Sequence, residues 1–416
     1  MKKIMIVIFL ILIVFLATGF EDIIRGRTEI ENLYSLSACG VDKKQGDDAN
    51  EFLITTVSPT TEENAQKPCN IMSISGRTVF EANRLLGIHA EKDIFWGHNK
   101  YILIGDEAAK EDLFKYLDFF MRDQEVRLSA TPLIVRGTTA QKFITSQYEQ
   151  NINIPSNLEN IIENQNLMSY SSQLNLVEFI NLTYESKNGY LPYLELETES
   201  RDLFIEQGSE KTEPNYQGLV PENNSIPDES TMFSQDIAAH IPGYALIKEG
   251  KVIEYISDET GRGLSWIINK VVSGTIVVDV NDNKFNLEII NSKCIITPKI
   301  KEDILSAEMK IIVSTNISEI DEKNITVDDA LLKELEEKQK RVVQKEIQDV
   351  LEIIQKNEID IIGVGDKFYH KYPVQWKKYK EDWNELFSDL EINVVIDSNI
   401  ERSYKFKGSV YFKEVD

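Results

Sequence analysis

The first twenty residues contain an apolar run that sets them apart from the rest of the chain. Ile4 to Leu16 follows two lysines without a polar interruption, and small residues and an acidic pair come after it. A basic start, an apolar centre and a small-residue end are the layout of an export signal. Residues 1–20 are therefore expected to be a signal or anchor segment of an exported protein.

The residue that follows the small residues decides whether this segment can carry a lipid. A lipoprotein signal has a cysteine at this place, whereas Phe20 stands here, and a benzyl ring cannot be acylated. We therefore expect no lipidation site. Two outcomes stay open. One is an uncleaved anchor, since about 17 residues span roughly 25 Å as a helix, and the other is cleavage before Phe20, after the small residues Ala17 and Gly19.

The charge of the chain limits its partners. The 416-residue sequence has 69 acidic and 45 basic residues, which gives a net charge of −24 at pH 7. A field of this sign repels nucleic acid and anionic lipid headgroups. We expect no nucleic-acid partner and no attachment through a basic patch, so an attachment to a membrane has to be hydrophobic.

Length and pattern predict an α+β protein with three domains, because 416 residues exceed one typical core. Each domain is expected to be a mixed or antiparallel sheet packed with helices, since strand and helix patterns alternate along the chain. A stretch rich in Glu, Asn, Pro and Ser predicts a flexible acidic loop. The expected divisions are an N-terminal domain at 21–200, the acidic loop or linker at 201–235, a small middle domain at 236–282 and a C-terminal domain at 283–416.

Two helices stand out in the apolar pattern. The longer spans 327–356, where Leu335, Val343, Ile347 and other apolar residues recur at three and four positions and so share one face. A coiled-coil stalk would need more heptads than this segment keeps. We expect this helix to lie across a sheet whose strands include one at 409–412. A second helix is expected over 107–121.

No residue pattern predicts catalysis, cofactor binding or a metal site. The H-A-E triplet that begins at His89 has the form found in zinc deaminases, but no P-C-x-x-C follows it. The three cysteines match no metal-ligand spacing. Cys39 and Cys294 are expected to be buried as small apolar residues, and a disulfide between Cys39 and Cys69 is an alternative. The sequence predicts a protein that is not an enzyme.

Aromatic residues near the C-terminus form a candidate interaction surface. Trp376, Tyr379 and Trp383 are spaced three and four apart, so a single helix would place them on one side. In the favoured interpretation they pin that helix against the sheet of the third domain. In the other they form a partner-binding surface together with Tyr369, since Trp and Tyr dominate interface hot spots. Surface exposure distinguishes the two.

Four passages, in a fixed order, carry a family pattern across nearly the whole chain. The passages are Ile30 to Asp42, His98 to Asp123, Gly243 to Leu264, and Asp360 to Trp383. Together they resemble the Ger(x)C family, the C subunits of spore germinant receptors. Each passage alone is a weak signal, whereas the ordered set is specific.

The resemblance implies a three-domain α+β protein on the outer face of the inner spore membrane. Such a subunit works with an A subunit and an integral-membrane B subunit in a complex that responds to small nutrient germinants, and it has no known enzymatic activity. The resemblance therefore supplies no catalytic or ligand-binding residues. Family members are normally lipid-modified on the cysteine that Phe20 replaces, so either the apolar segment or the partner subunits would retain this chain at the membrane.

A stand-alone extracytoplasmic ligand-binding protein is the second function that the sequence leaves open. It would need a concave pocket of roughly 300 Å³ or more with converging polar groups. An extracellular hydrolase is a third function, which the lack of a recognisable nucleophile–base pair in the sequence disfavours.

Overall fold

The computed structural model describes residues 33–44, 51–60, 65–197, 238–281, 283–321 and 327–401. The signal or anchor segment with Phe20, the acidic loop at 201–235 and the strand expected at 409–412 lie outside these residues. Within them the fold is α+β, as the sequence predicts, with helices packed on several sheets.

The strands of the described residues form three sheets. In chain order they are β1 (Leu33–Ser35), β2 (Ala38–Lys43), β3 (Phe52–Pro59), β4 (Cys69–Gly76), β5 (Asp93–Phe95), β6 (Tyr101–Gly105), β7 (Thr131–Val135), β8 (Gly189–Glu197), β9 (Ala238–Lys248), β10 (Lys251–Ser257), β11 (Thr275–Val280), β12 (Asn283–Lys301), β13 (Ile304–Ile320) and β14 (Glu391–Glu401).

The helices alternate with these strands in the first half of the chain and cluster near the end of the second. In chain order they are α1 (Val79–His89), α2 (Asp106–Glu111), α3 (Leu113–Arg122), α4 (Ala140–Glu149), α5 (Ile154–Asn164), α6 (Leu176–Thr183), α7 (Asp258–Ile267), α8 (Asp329–Lys356), α9 (Val364–Lys371), α10 (Pro373–Tyr379) and α11 (Trp383–Ser388).

The largest sheet has eight strands in the order β10-β9-β8-β7-β6-β2-β3-β4. Its centre, from β8 to β2, is parallel, and antiparallel strands extend it on both sides. Every residue of β6 and β7 is buried, which explains why both strands are almost entirely apolar. Helices α4 and α5 cover one face, and helices α1, α2, α3 and α6 pack on the other.

The helix expected over 107–121 is two helices in the structure. Helix α2 ends at Glu111, and α3 begins at Leu113, whose N–H donates to the carbonyl of Gly250 (2.7 Å) instead of continuing the helix. The Asp112 side chain caps α3 by accepting from the N–H of Phe114 (3.0 Å). The single-helix prediction is therefore wrong, because a hairpin distant in sequence captures the backbone at this point.

Two buried aspartates join helices and loops to the carboxyl ends of the parallel strands. Asp42 accepts hydrogen bonds from the first two N–H groups of α4, at Ala140 (2.7 Å) and Gln141 (2.8 Å). Burial raises the pKa of Asp42 to about 6, against the effect of these two donors. Asp106 accepts from the hydroxyl of Tyr255 in β10 (2.5 Å). Each carboxylate thus ties together segments far apart in the sequence.

The segment expected to form a small middle domain, residues 236–282, has no sheet of its own among the described residues. Strands β9 and β10 extend the eight-stranded sheet through β8, with Tyr190 opposite Leu246. Strand β11 belongs to the four-stranded sheet instead. The difference has a physical reason, because β8 without β9 would present an unpaired edge of backbone N–H and C=O groups.

The four-stranded sheet has the order β11-β12-β13-β14, with β14 parallel to β13. Helix α8, Asp329–Lys356, matches the helix expected at 327–356 to within two residues and buries its apolar stripe against this sheet. Its polar contact with the sheet is also buried, since the Thr315 hydroxyl of β13 bonds to Gln339 Oε1 (2.6 Å).

A buried ion pair joins the two large sheets where α7 meets α8. Arg262 of α7 donates to both carboxylate oxygens of Glu346 in α8, and it also donates to the Thr275 carbonyl of β11 (2.9 Å). Both side chains are almost fully buried. The helices approach so closely that a Cβ on Gly263 would lie 2.1 Å from the Glu346 carbonyl oxygen. The indole N–H of Trp266 completes the site on Glu346 Oε2 (2.8 Å).

Substitution of Arg262 by Met should cost about 3–5 kcal/mol of unfolding free energy, because it leaves the Glu346 carboxylate buried without its cation. Combining Arg262→Met with Glu346→Leu should recover much of that loss, since no uncompensated charge remains. Denaturant unfolding followed by tryptophan fluorescence measures both. The matched control is Arg122→Met, which removes an exposed pair with Asp118 and should cost less than about 1 kcal/mol. Equal losses for the two single variants would contradict a joining role for Arg262.

Candidate functional site

The aromatic residues of the candidate interaction surface lie in three short helices that follow α8. The rings of Phe368 and Trp376 are stacked, with centroids 6.4 Å apart and an interplanar angle of 12°. Trp383 packs edge-on against Trp376 at 4.9 Å and also contacts Phe368 at 5.4 Å. Trp376 belongs to α10 and Trp383 to α11, because the chain turns between Tyr379 and Trp383. The prediction of a single helix through these residues is therefore wrong.

Asp360 holds this cluster through backbone and side-chain bonds. Its carboxylate accepts from the N–H groups of Val364 (2.9 Å) and Gly365 (2.6 Å) and from the indole N–H of Trp383 (2.8 Å). Desolvation raises the pKa of Asp360, and these three donors oppose that rise. The chain can wrap round the carboxylate because Gly363 takes a left-handed conformation at φ +71°. Residues 363–365 therefore form a turn around the Asp360 carboxylate.

The four candidate residues differ in exposure. Trp383 and Tyr379 are each only 8% exposed, and the Tyr379 hydroxyl donates to Asp303 Oδ1 (3.2 Å) in the turn before β13. Trp376 is half-buried, whereas Tyr369 is 52% exposed. The four-stranded sheet and helices α8 to α11 make up the C-terminal unit of the described residues. The structure brings Trp376 and Trp383 together inside this unit, as in the favoured interpretation, and leaves Tyr369 available at its surface.

The thiols are buried in the structure. Cys39, Cys69 and Cys294 are all free, so the alternative of a disulfide between Cys39 and Cys69 is not present. Burial raises the pKa of the Cys39 thiol far above its usual range and that of Cys294 to about 12. Neither thiol is a nucleophile at neutral pH. In the part of the chain that the structure describes, no group of three or more His, Cys, Asp and Glu side chains is placed to hold a metal ion.

Two neighbouring cavities at the amino ends of β6 and β7 were not predicted from the sequence. Their volumes are about 430 and 410 Å³, and Ser129, Ile162, Glu163 and Gln173 line both. The remaining lining residues come from strand ends, loops and helices spread over more than 170 positions of the chain. No local motif signals such a site, because the fold alone brings these segments together.

Substitution of Trp383 by Ala should cost about 3–5 kcal/mol of unfolding free energy, because the buried ring fills the space beside Trp376 and Phe368. Trp383→Phe should cost less, about 1–3 kcal/mol, mostly from the lost indole donor to Asp360. The control Tyr369→Ala should change stability by less than about 0.5 kcal/mol, since that ring is half exposed. Denaturant unfolding of the three variants gives the comparison. A loss near zero for Trp383→Ala would place the ring at the surface and restore the partner-site interpretation for it.

Two family models cover most of the chain. Residues 26–196 match the model described as "Spore germination protein N-terminal domain". Residues 242–404 match the one described as "Spore germination B3/ GerAC like, C-terminal". The first match ends within β8 and the second begins within β9, and these two strands are neighbours in the eight-stranded sheet.

Relatives and a solved structure agree with these matches. The chain is 25% identical to spore germination protein KC of Bacillus subtilis (strain 168), over 97% of this chain and 96% of that protein. It is 22% identical to spore germination protein B3 of the same strain, over 78% of each. The crystal structure of the GerBC protein has a similar fold, with a TM-score of 0.55 and 18% identity over 88% of this chain and 98% of that one. The chain thus belongs to the Ger(x)C family, the family of germinant receptor C subunits.

Proposed function

We propose that this protein is a non-enzymatic C subunit of a nutrient germinant receptor and is required for spore germination. The observation that carries the proposal is the extent of the family match, which includes both the N-terminal and the C-terminal model. The alignment with spore germination protein KC also runs through nearly the whole length of both chains. A match of this extent supports a shared role for the complete fold.

The proposed partners are the A and B subunits of the receptor, and the proposed location is the outer face of the inner spore membrane. Of the helices that the structure describes, none has the length and apolar character to cross a bilayer. Attachment in this proposal comes from the apolar segment at 4–20 or from the partner subunits, since Phe20 stands where a lipid-bearing cysteine would be.

Tyr369 is the candidate partner residue that we retain at the surface of the C-terminal unit. Half of its ring is exposed, and Val374 in the next helix is 76% exposed. An exposed tyrosine offers a large rigid ring at a low entropic cost of binding. Trp376 is half-buried, whereas Tyr379 and Trp383 are buried and act through the fold that positions these residues.

A stand-alone extracytoplasmic ligand-binding protein is a second candidate function. One observation favours it: the larger of the two cavities is about 430 Å³ and includes polar residues such as Ser129 and Gln173 in its lining, whereas a ligand site needs roughly 300 Å³. Assembly with partner subunits distinguishes the two functions.

A tagged chain recovered from spore membranes should bring down two membrane proteins, the A and B subunits, because the proposed receptor is a stable complex. Tyr369→Ala should reduce their recovery several-fold, since truncation of an interface tyrosine commonly costs more than about 1 kcal/mol. The matched control is Tyr184→Ala, which removes an 81% exposed ring of the N-terminal unit. Recovery of the wild-type chain alone would contradict the receptor-subunit proposal and favour the stand-alone function.

The intact mass of the protein from spore membranes should correspond to a chain that begins at Met1, because an uncleaved apolar segment explains how a chain without the cysteine stays attached. Mass spectrometry after detergent extraction measures it directly. A mass that begins at Phe20 would contradict the anchor and leave the partner subunits as the means of retention.

A further inference from the structure

A lysine-rich segment extends from α9 to the end of α10. Residues 367–380 contain five lysines and one histidine but no acidic residue, in a chain whose net charge is −24. All five lysines are exposed, and they are Lys367, Lys371, Lys377, Lys378 and Lys380. The negative charge of the chain is therefore unevenly distributed. The expectation that no basic patch contacts a membrane follows from the total charge, and this segment departs from that total.

Four of these lysines have no carboxylate partner among the described residues. Lys378 alone forms an ion pair, with Asp303 in the turn between β12 and β13 (3.2 Å). Lys371 donates to the Pro298 carbonyl instead (3.0 Å). The chain has 69 acidic residues that could have been placed here. A cluster of unpaired lysines in so acidic a chain suits an anionic partner from outside it.

Exposed apolar side chains accompany the cationic ones. Val374 is 76% exposed and precedes Lys378 by one turn of α10, so the two share a face of the helix. Ile304 is 68% exposed and follows Asp303, the residue with which Lys378 pairs. The ion pair thus brings the turn that carries Ile304 up to the helix that carries Val374. The lysine patch is defined here as Ile304, Lys371, Val374, Lys377, Lys378 and Lys380.

The residue types of the lysine patch favour a lipid surface over a protein partner. Protein interfaces are depleted in lysine and enriched in arginine, whose planar guanidinium binds carboxylates in a fixed geometry. The patch contains no arginine. A lysine ammonium is a point charge on a flexible stem, which suits a layer of phosphate headgroups. Exposed aliphatic side chains among such cations can enter the boundary between the headgroups and the acyl chains.

Salt screening reconciles this patch with the net charge of the chain. At 0.15 M ionic strength the Debye length is about 8 Å, so a membrane interacts mainly with the charges that lie close to its surface. Acidic residues on other sides of the fold are largely screened from it. A local cluster of lysines can therefore attract an anionic surface that the chain as a whole would repel.

We propose that the lysine patch docks the C-terminal unit onto an acidic phospholipid surface. Its lysines pair with lipid phosphates, and Val374 and Ile304 enter the boundary below the headgroups. The inference rests on the membrane location proposed above, and it adds a contact separate from the segment at 4–20. Tyr369 is not part of the patch and stays the candidate residue for the partner subunits.

A fluorescent label at Gln375→Cys, an exposed position of α10, tests this contact on the full chain. The native thiols are buried, so the new thiol is the one that reacts readily. The chain is reconstituted with phosphatidylcholine vesicles that contain or lack about 30% phosphatidylglycerol as the anionic lipid. A lipid with a spin label near its headgroup quenches a label that touches the membrane. We expect strong quenching only with phosphatidylglycerol, and no such dependence for a reference label at Tyr184→Cys.

Removal of two lysines should weaken the contact. Lys377→Gln combined with Lys380→Gln should lower the ratio of membrane-contacting to free label about thirtyfold, which is the equivalent of about 1 kcal/mol for each lysine near an anionic surface. The matched control combines Lys92→Gln with Lys142→Gln, two exposed lysines outside the patch. It changes the net charge equally and should leave the quenching unchanged. Melting temperatures check that each variant keeps its fold.

Three results would overturn the inference. Quenching that does not depend on phosphatidylglycerol leaves no role for anionic headgroups, and equal losses for the two lysine pairs leave no role for this patch. A label that neither vesicle quenches, but that the co-purified A and B subunits shield, would assign the surface to a protein partner instead. Recovery of those subunits is measured separately, so the lipid contact and the receptor-subunit proposal can fail independently.

Discussion

The placement of the two large sheets depends on the buried pair between Arg262 and Glu346. An apolar contact could bring α7 and α8 together at many rotations, whereas the planar guanidinium binds both carboxylate oxygens and the Thr275 carbonyl in one orientation. Removing two charges from water is costly, so such a pair contributes little net stability in comparison with a well-packed apolar one. We therefore interpret it as a device that fixes geometry, which the close approach at Gly263 makes possible.

Buried charged residues of this kind occur in each of the four passages that carry the family resemblance. Asp42 closes the first passage and holds the start of α4. Asp106 lies in the second and binds Tyr255, Arg262 lies in the third, and Asp360 organises the last. A buried charge tolerates no loss of its partners, because an unpaired polar group in the interior costs several kcal/mol. Each of the four passages thus contributes a joint of this fold.

The same distinction explains what the sequence predicts and what it misses. Helix α8 is predicted to within two residues because its three- and four-residue apolar spacing is a local property. The break at Asp112 is missed because it depends on Gly250, which is more than 130 positions away. The place of β9 and β10 is missed for a similar reason, since pairing with β8 is a property of the edge that β8 offers. The separation of Trp376 and Trp383 into two helices, and the two cavities beside Ser129 and Glu163, also arise from tertiary structure alone.

The smaller cavity and the joint between the sheets share one stretch of chain. Arg262 lies in α7, and Lys270 and Val272, which line the smaller cavity, follow that helix within ten residues. The same stretch is held by Ser169, whose hydroxyl accepts from the N–H of Val272 (3.1 Å) and donates to the Ser273 carbonyl (2.5 Å). Lys270 and Val272 thus belong to the segment that connects α7 to the first strand of the four-stranded sheet. One wall of the smaller cavity and the joint at Arg262 are therefore positioned by the same stretch of chain, which runs from α7 to β11.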